Sequence, residues 1–161
     1  MIQRTMKAWQ LDRFGRANLA LADRPVPDPA PDEITVRVGA VSLNYRDLLV
    51  VEGKLLPADP AMPFVPVSDF AGEVVAVGSN VRDRSPGDRV MGNFWVDWIE
   101  GTPPRDMAAR GRSLGGLLPG GLAEFVTIPA EAAVPSPENL SDEEASGLPV
   151  AALTAWFALT E

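Results

Sequence analysis

The chain has 161 residues, with no cysteine and no histidine, and its 22 acidic and 14 basic residues give a net charge of −8. This length suffices to bury the core of one domain without disulfides, and the composition lacks the sulfur and nitrogen ligands that zinc usually takes. No cluster of lysine and arginine could neutralise a phosphate backbone, so we expect no nucleic-acid partner.

The amino-terminal segment MIQRTMKAWQLDRFG lacks the unbroken apolar core of a secretory signal. No later segment reaches the roughly 18 apolar residues that a membrane span needs. We therefore expect a cytoplasmic protein with no membrane partner. This expectation depends on the missing signal alone, because a chain without cysteine fits any redox compartment.

The first strand predicted from its pattern lies within residues 32–44, where apolar residues alternate with polar or small ones. The preceding segment RPVPDPAPDE carries four prolines that lack N–H donors, which predicts an extended strap over the surface. A plain connector is the expected role of this strap, and a ligand for a proline-binding partner is the alternative. After Asn44, the segment YRDLLVVEG predicts a short helix that ends at Gly53.

The segment FVPVSDFAGEVVAVG predicts a buried strand from Phe70 to Val77, with Ser68 and Asp69 directly before it. Because burying an unpaired charge is costly, Asp69 needs a partner or a special role. The following sequence SPGD has proline and glycine where a type II turn requires them. Two further strands are predicted, at Arg89–Met91 and at Leu122–Ile128.

The last predicted element is a helix that begins at Ser141, whose spacing to Glu144 is that of a capping box. Apolar residues then recur at helical spacing up to Leu159, and Pro149 is expected to kink the helix. A helix with so much apolar surface and no glycine cap is expected to pack on a segment that follows it.

In this order, the segments resemble the amino-terminal, GroES-like domain of the medium-chain dehydrogenase/reductase superfamily, and within it the zinc-independent alcohol dehydrogenase-like and quinone oxidoreductase-like branches. The resemblance extends from MKAW near the start to LTAW near the end. The motifs that carry it are VSLNYRDLLVVEG, PFVPVSDFAGEVVAVGSNV, PGDRVMG, GGLAEFVTIP and LSDEEASGLPVAALTAW. It implies a mainly β fold with short helices, a GroES-like partly open β-barrel over residues 1–139, and a connecting helix over residues 140–161.

The chain departs from the zinc alcohol dehydrogenases of this superfamily at the positions of their metal ligands. Asn44 stands at the position of the first cysteine ligand, and Val67-Ser68-Asp69 stands at that of a Gly-His-Glu segment. The four-cysteine structural zinc lobe has no counterpart in residues 93–116. We therefore expect no metal, and we expect Asp69 to be a charge partner near the cleft, with Arg46 as its candidate partner and a turn-capping role as the alternative.

The superfamily also has a nucleotide-binding half, whose G-x-G-x-x-G turn before a helix does not occur in this chain. The resemblance therefore implies a truncated chain that carries one of two domains and is inactive alone. The cofactor of the complete protein would be NAD(P)H, with NADPH preferred, bound through a domain that leads on from the last helix (a Rossmann domain). The resemblance is compatible with a homodimer of the complete protein.

The reaction that the resemblance implies is hydride transfer between a nicotinamide and a quinone, enone or alcohol/carbonyl substrate. Negative charge builds on the substrate oxygen, and without zinc only hydrogen bonds can stabilise it. Hydrogen bonds suit a delocalised enolate or hydroquinone oxygen better than a simple alkoxide. We therefore favour quinone or enone reduction, with a free-standing GroES-like binding or scaffold module as the alternative.

Four residues are candidates for catalysis. Asn44 is the expected hydrogen-bond donor to substrate, and a helix N-cap is an equally weighted alternative. Tyr45 could offer its phenol, although such tyrosines are more often packing residues. The Ser68 hydroxyl and the Asp69 carboxylate complete the set.

Candidates for cofactor and substrate binding come from three other segments. Arg46 and Asp47 are expected either to pair locally or to reach the cofactor. Thr154 matches a threonine that touches the nicotinamide carboxamide in the family, and a hydroxyl bonded to its own helix backbone is the alternative. Three aromatic residues near position 95 are candidates for lining the substrate pocket: Phe94, Trp95 and Trp98. Core packing is the more frequent role of such residues and is the alternative.

Overall fold

The computed structural model describes residues 5–107 and 112–160. The described part of the chain is mostly β. Its strands are β1 (Thr5–Leu11), β2 (Leu19–Pro25), β3 (Glu33–Ser42), β4 (Asp69–Val77), β5 (Arg89–Gly92), β6 (Phe125–Pro129) and β7 (Ala133–Pro135). Its α-helices are α1 (Tyr45–Val51), α2 (Asp142–Ala145) and α3 (Leu153–Thr160). Short 3-10 turns cover Arg16–Asn18 and Ala130–Ala132, and a π-helical turn covers Leu148–Ala152.

The main sheet has five antiparallel strands in the order β6-β3-β4-β5-β7, and β1 and β2 form a separate hairpin. Isolated bridges at Ala8–Ala123 and Leu11–Phe64 attach this hairpin to the rest of the chain. The five-stranded sheet curls into a half-barrel, which confirms the predicted mainly β, GroES-like architecture. No helix in the described ranges has the length and apolar character that crossing a membrane requires.

The hydrophobic core fills the inside of the curled sheet and uses one face of β3 and β4. The alternation of β3 is as predicted, since Ile34 and Val36 are fully buried while Arg37 is exposed. The buried members of this core cluster are Ile34, Val36, Phe70, Val74, Val90, Val96, Leu114, Val126, Ile128, Ala130, Ala132 and Ala133. A second cluster, made of Leu11, Val50, Val51 and Phe64, packs α1 against β1.

The proline-rich strap covers part of the outer face of the sheet. Thr35, on the opposite face of β3 from Ile34, is buried beneath this strap, and its hydroxyl donates to the carbonyl of Pro27 over 3.2 Å. The Thr35 and Thr127 hydroxyl oxygens also lie 3.1 Å apart. The strap therefore packs along β3 and β6, as the connector interpretation predicts.

Three elements differ from their predicted form. The β1–β2 hairpin was not predicted from its residue pattern. The strand predicted to begin at Leu122 begins at Phe125. Before it, the Leu122 carbonyl accepts the Trp9 N–H and the Glu124 N–H donates to the Lys7 carbonyl, so this segment is bonded to β1, and only the Glu124 carbonyl, which accepts the Val38 N–H, already contacts β3. The last helix is divided into α2, the π-helical turn and α3, because Pro149 has no N–H for a regular ladder.

Candidate functional site

The end of β3, the start of α1 and the start of β4 meet at one place. Ser42 pairs with Asp69 across the two strands, so Asn44 lies beside the first residue of β4. The Asn44 side-chain nitrogen donates to Asp69 Oδ2 over 3.0 Å. Asn44 is also the N-cap residue of α1, and its backbone N–H donates to Asp47 Oδ2 over 2.8 Å. Of the two alternatives for Asn44, the N-cap position is therefore present, and its side-chain amide is held by Asp69; donation to a substrate stays a prediction.

Asp69 is fully buried, and its two carboxyl oxygens differ in their surroundings. Oδ2 accepts the Asn44 amide and also the backbone N–H of Val150, 3.2 Å away. Oδ1 has no hydrogen-bond partner among the described residues. Burial raises the pKa of Asp69, and the negative charge of nearby Asp47 adds to this, while the hydrogen bonds from Asn44 and Val150 lower the pKa less strongly.

Asp47 links three parts of the site. Its Oδ1 accepts the backbone N–H of Ser68 over 3.2 Å and the Arg46 guanidinium over 3.0 Å, while its Oδ2 accepts the Asn44 backbone. The Asp47 side chain is almost fully buried, so these contacts compensate for the loss of hydration. Asp47 thereby connects α1 to the segment that precedes β4.

Arg46 pairs with Asp47 and not with Asp69, which corrects the candidate partner proposed from the sequence. Its guanidinium lies over the Phe94 ring, with 4.7 Å between the Arg46 Cζ atom and the ring centroid, and donates to the Gly115 carbonyl over 3.3 Å. Burial lowers the pKa of Arg46, and the adjacent Asp47 opposes this shift. Of the two alternatives for this pair, the local ion pair is present.

Ser68 is fully buried between Asp47 and Asp69. Its hydroxyl oxygen has no hydrogen-bond partner of normal geometry in the part of the chain that the structure describes. The Ser68 hydroxyl also acts on the neighbouring Asp69 carboxyl, whose pKa it lowers slightly, so the two groups form one buried polar pair. This pair is the main polar feature of the candidate site.

The remaining candidates lie at different distances from this cluster. Tyr45 is 75% exposed on α1, and Thr154 is exposed on α3. Within the described residues, no hydrogen bond joins either side chain to the Asn44–Asp69 pair. Thr154 follows Val150, which contacts Asp69, by one helical turn.

The three aromatic candidates do not form one pocket. Phe94 contacts Arg46, and the Trp95 ring meets it edge-on with 4.8 Å between the centroids. Trp98 is directed elsewhere: its indole donates to the Gly101 carbonyl, and it lines a separate open depression with Ile99 and Val134. Of the three aromatic candidates, Phe94 contacts Arg46 of the site directly, and Trp95 contacts only Phe94.

Sequence reasoning missed two contributors to the site. The Val150 backbone N–H binds Asp69 from 81 positions away, and no sequence signal predicts such a contact. The Gly115 carbonyl binds Arg46, for which the glycine-rich segment around position 115 was the available signal.

The donor atoms of this site do not fit a catalytic zinc ion. Zinc sites of this kind use three protein ligands from cysteine, histidine or carboxylate side chains. Within the described residues no three such side chains lie close enough together to hold a metal ion. The Asn44 amide nitrogen is a donor to Asp69 and has no lone pair to offer a metal.

Residues 30–138 match the family model described as the alcohol dehydrogenase GroES-like domain. Over 129 residues, the chain is 43% identical to a zinc-type alcohol dehydrogenase-like protein of Schizosaccharomyces pombe. This match covers 80% of the chain and 36% of that protein. It is 35% identical to a chloroplastic quinone-oxidoreductase of Triphysaria versicolor, over 100% of the chain and 44% of that protein. It is 32% identical to a chloroplastic NADPH-dependent alkenal/one oxidoreductase of Arabidopsis thaliana, over 96% of the chain and 37% of that protein.

Among solved structures, a protein of Sinorhizobium meliloti 1021, provisionally named an alcohol dehydrogenase, matches with a TM-score of 0.91 and 45% identity. The match covers 99% of this chain and 47% of that one. The chain thus spans less than half the length of the relatives that it matches. By family model, sequence identity and structure, it belongs to the alcohol dehydrogenase GroES-like domain family, within the oxidoreductases of the medium-chain dehydrogenase/reductase superfamily.

Proposed function

We propose that this chain is the substrate-side domain of a zinc-free, NAD(P)H-dependent oxidoreductase that reduces quinones or enones. In this proposal residues 1–139 form the catalytic domain, and residues 140–161 lead into a nucleotide-binding domain. The observation that carries the proposal is the hydrogen bond from Asn44 to the buried Asp69. This bond holds an amide donor in place, and by the resemblance Asn44 stands at the position of a metal ligand in the zinc alcohol dehydrogenases.

The Asn44 amide carries two N–H groups, and Asp69 accepts only one of them. Because a carboxylate oxygen cannot donate while ionised, Asp69 holds the nitrogen, and not the carbonyl oxygen, of Asn44 toward the site. Among the described residues the second N–H of Asn44 has no acceptor, so in this proposal it donates to a substrate oxygen. As negative charge develops on that oxygen, a fixed donor stabilises it without having to reorient.

The reaction needs a hydride, which a bound nicotinamide supplies. Names of relatives support this cofactor, since one of them is an NADPH-dependent alkenal/one oxidoreductase. The chain's own candidate contact is the exposed Thr154 on α3, which fits one edge of a nicotinamide ring but not a whole nucleotide. NADPH is the cofactor that we propose for the complete protein.

The substrate class follows from the strength of the available donors. A single amide stabilises a delocalised enolate or hydroquinone oxygen, whose charge is already spread, better than an alkoxide. The name of the Triphysaria relative, a quinone-oxidoreductase, is in line with this choice. We therefore place alcohol oxidation second to the reduction of conjugated carbonyl compounds.

The test is NADPH oxidation by the protein that carries this chain, with a set of benzoquinones, naphthoquinones and α,β-unsaturated ketones. We expect Asn44→Ala to lower kcat about 100-fold, the usual cost of removing one oxyanion donor. Asn80→Ala is the matched control, because Asn80 follows the opposite end of β4 and bonds Asp32. Absence of turnover with every nicotinamide and substrate would contradict the proposal and favour a binding module.

A further inference from the structure

The backbone of Val67 has an unusual conformation. Its φ of 78° lies in the left-handed region, and the described residues with positive φ are otherwise glycines. A β-branched side chain disfavours this region strongly, because its Cβ approaches the neighbouring carbonyl oxygen. Val67 is also buried, so its surroundings must hold it in place.

Two glycines of a neighbouring loop enclose one side of the Val67 peptide. A Cβ atom on Gly120 would overlap the Val67 carbonyl oxygen, and one on Gly115 would overlap the Val67 carbonyl carbon and the Ser68 nitrogen. The Gly121 N–H also donates to the Val67 carbonyl over 2.8 Å. This close approach is open only to residues without a side chain.

Asp47 restrains the same peptide from the other side, since its Oδ1 accepts the Ser68 N–H over 3.2 Å. The direction of the chain after Val67 is set by these contacts together with the φ of Val67. It brings Ser68 and Asp69 into the interior, where Asp69 Oδ2 meets the Asn44 amide at 3.0 Å. Charged groups near Asp69 are Asp47 and Arg46, both on α1.

We propose that Val67 is a positioning residue, held in a left-handed conformation between Gly120 and Asp47 so that the Asp69 carboxyl meets the Asn44 amide. The catalytic meaning of this role rests on the proposed function, in which Asn44 donates to substrate. The conformation itself is a property of the fold and can be tested without any turnover.

The strain at Val67 is tested by comparing Val67→Gly with Val67→Ala in thermal unfolding. Both variants lose the isopropyl group, but only glycine adopts positive φ without strain, so we expect Val67→Gly to unfold about 2–4 °C above Val67→Ala. The matched pair is Val65→Gly and Val65→Ala, because Val65 is equally buried on the same segment with negative φ. There we expect glycine to be the less stable variant. A glycine variant less stable than alanine at position 67 would overturn the inference.

The positioning role is tested with Gly120→Ala, read out by the side-chain amide NMR signals of Asn44. The added methyl group must displace the Val67 carbonyl, so we expect the Asn44 signals to move toward those of a solvent-exposed amide. Gly78→Ala is the control, because its Cβ would overlap the Ala30 carbonyl, which belongs to a different part of the fold. Unchanged Asn44 signals in Gly120→Ala, or equal movement in the control, would overturn the positioning role.

The two proposals fail in different ways. If no nicotinamide-dependent turnover is found but glycine is preferred at position 67 and Gly120→Ala moves the Asn44 signals, the proposed function is wrong and Val67 still positions Asp69. If turnover depends on Asn44 but both structural tests fail, the function stands and the positioning role does not. If Gly120→Ala does not fold, the Asn44 side-chain amide signals are compared between Val67→Gly and the Val65→Gly control; movement in Val67→Gly alone supports the positioning role, and unchanged signals overturn it.

Discussion

The Asn44 amide and the Asp69 carboxyl are 25 positions apart in the chain, and a 3.0 Å hydrogen bond joins them at the junction of β3, α1 and β4. Asn44, which follows β3, is partly buried, and Asp69, the first residue of β4, is fully buried. Because Asp69 Oδ1 stays unpaired within the described part of the chain, this carboxyl is incompletely compensated for its burial. Burial without full compensation is the cause of the raised pKa of Asp69.

The first prediction concerns Asp69→Asn and the pH dependence of stability. Since the folded-state pKa of Asp69 is raised, its contribution to stability is full below the pKa of the unfolded chain and is lost as pH rises through the folded-state pKa. Asparagine carries no charge to desolvate and keeps an oxygen acceptor for Asn44 and Val150. We expect Asp69→Asn to raise the free energy of unfolding by about 1 kcal/mol at pH 7, with this gain shrinking toward pH 4.

Urea unfolding at pH 4 and at pH 7 measures this effect. Asp59→Asn is the control, because Asp59 is exposed and its substitution should leave the difference between the two pH values unchanged. If Asp69→Asn were equally destabilising at both pH values, the hydrogen bonds of the carboxylate would outweigh its desolvation. The gain in stability is expected to come with a loss of activity, as is usual for strained or undercompensated sites.

The sequence predicted four strands of the main sheet, β3 to β6, because their signals are local, and it did not predict the short β7. Alternation identified β3, and the turn residues at Ser85–Asp88 separated β4 from β5. The capping pattern at Ser141 marked the start of α2. The β1–β2 hairpin escaped because Trp9 and Leu21, which pair across it, are largely exposed and leave no clear apolar alternation.

The site was predicted less completely, because its contacts are made between distant segments. Asn44, Ser68 and Asp69 were singled out by their positions in motifs, and the structure brings them together. Val150 and Gly115 contribute only backbone groups: no sequence signal predicts the Val150 contact, and the glycine-rich segment is the only signal for the Gly115 contact. The left-handed conformation of Val67 was unpredictable for the opposite reason, since valine is among the residues least expected to adopt it.

The second prediction concerns Arg46→Lys. The Arg46 guanidinium contacts Asp47, the Gly115 carbonyl and the Phe94 ring at once, and an ammonium group cannot reproduce this planar arrangement. We expect the substitution to lower the free energy of unfolding by about 1–2 kcal/mol in urea unfolding.

The matched control for that experiment is Arg112→Lys in the exposed pair with Asp97, whose side chains are 51% and 45% exposed. Solvent screens such a pair, so this change should cost no more than about 0.5 kcal/mol. Equal losses for the two variants would mean that burial and the Phe94 contact add nothing to the Arg46 pair.

The third prediction concerns Gly39, which lies against Asp142 at the start of α2. A Cβ atom on Gly39 would overlap the Asp142 carboxyl, whose Oδ1 accepts Arg89 over 2.6 Å. Gly39→Ala should therefore displace this ion pair and lower the free energy of unfolding by about 1–3 kcal/mol. In an Asp142→Ala background the carboxyl group is gone and only the Cβ atom of residue 142 stays close, at 3.1 Å, so the same change should cost less than about 1 kcal/mol. A double-mutant cycle by urea unfolding measures the coupling, and additive losses would show that Gly39 is retained for a reason other than Asp142.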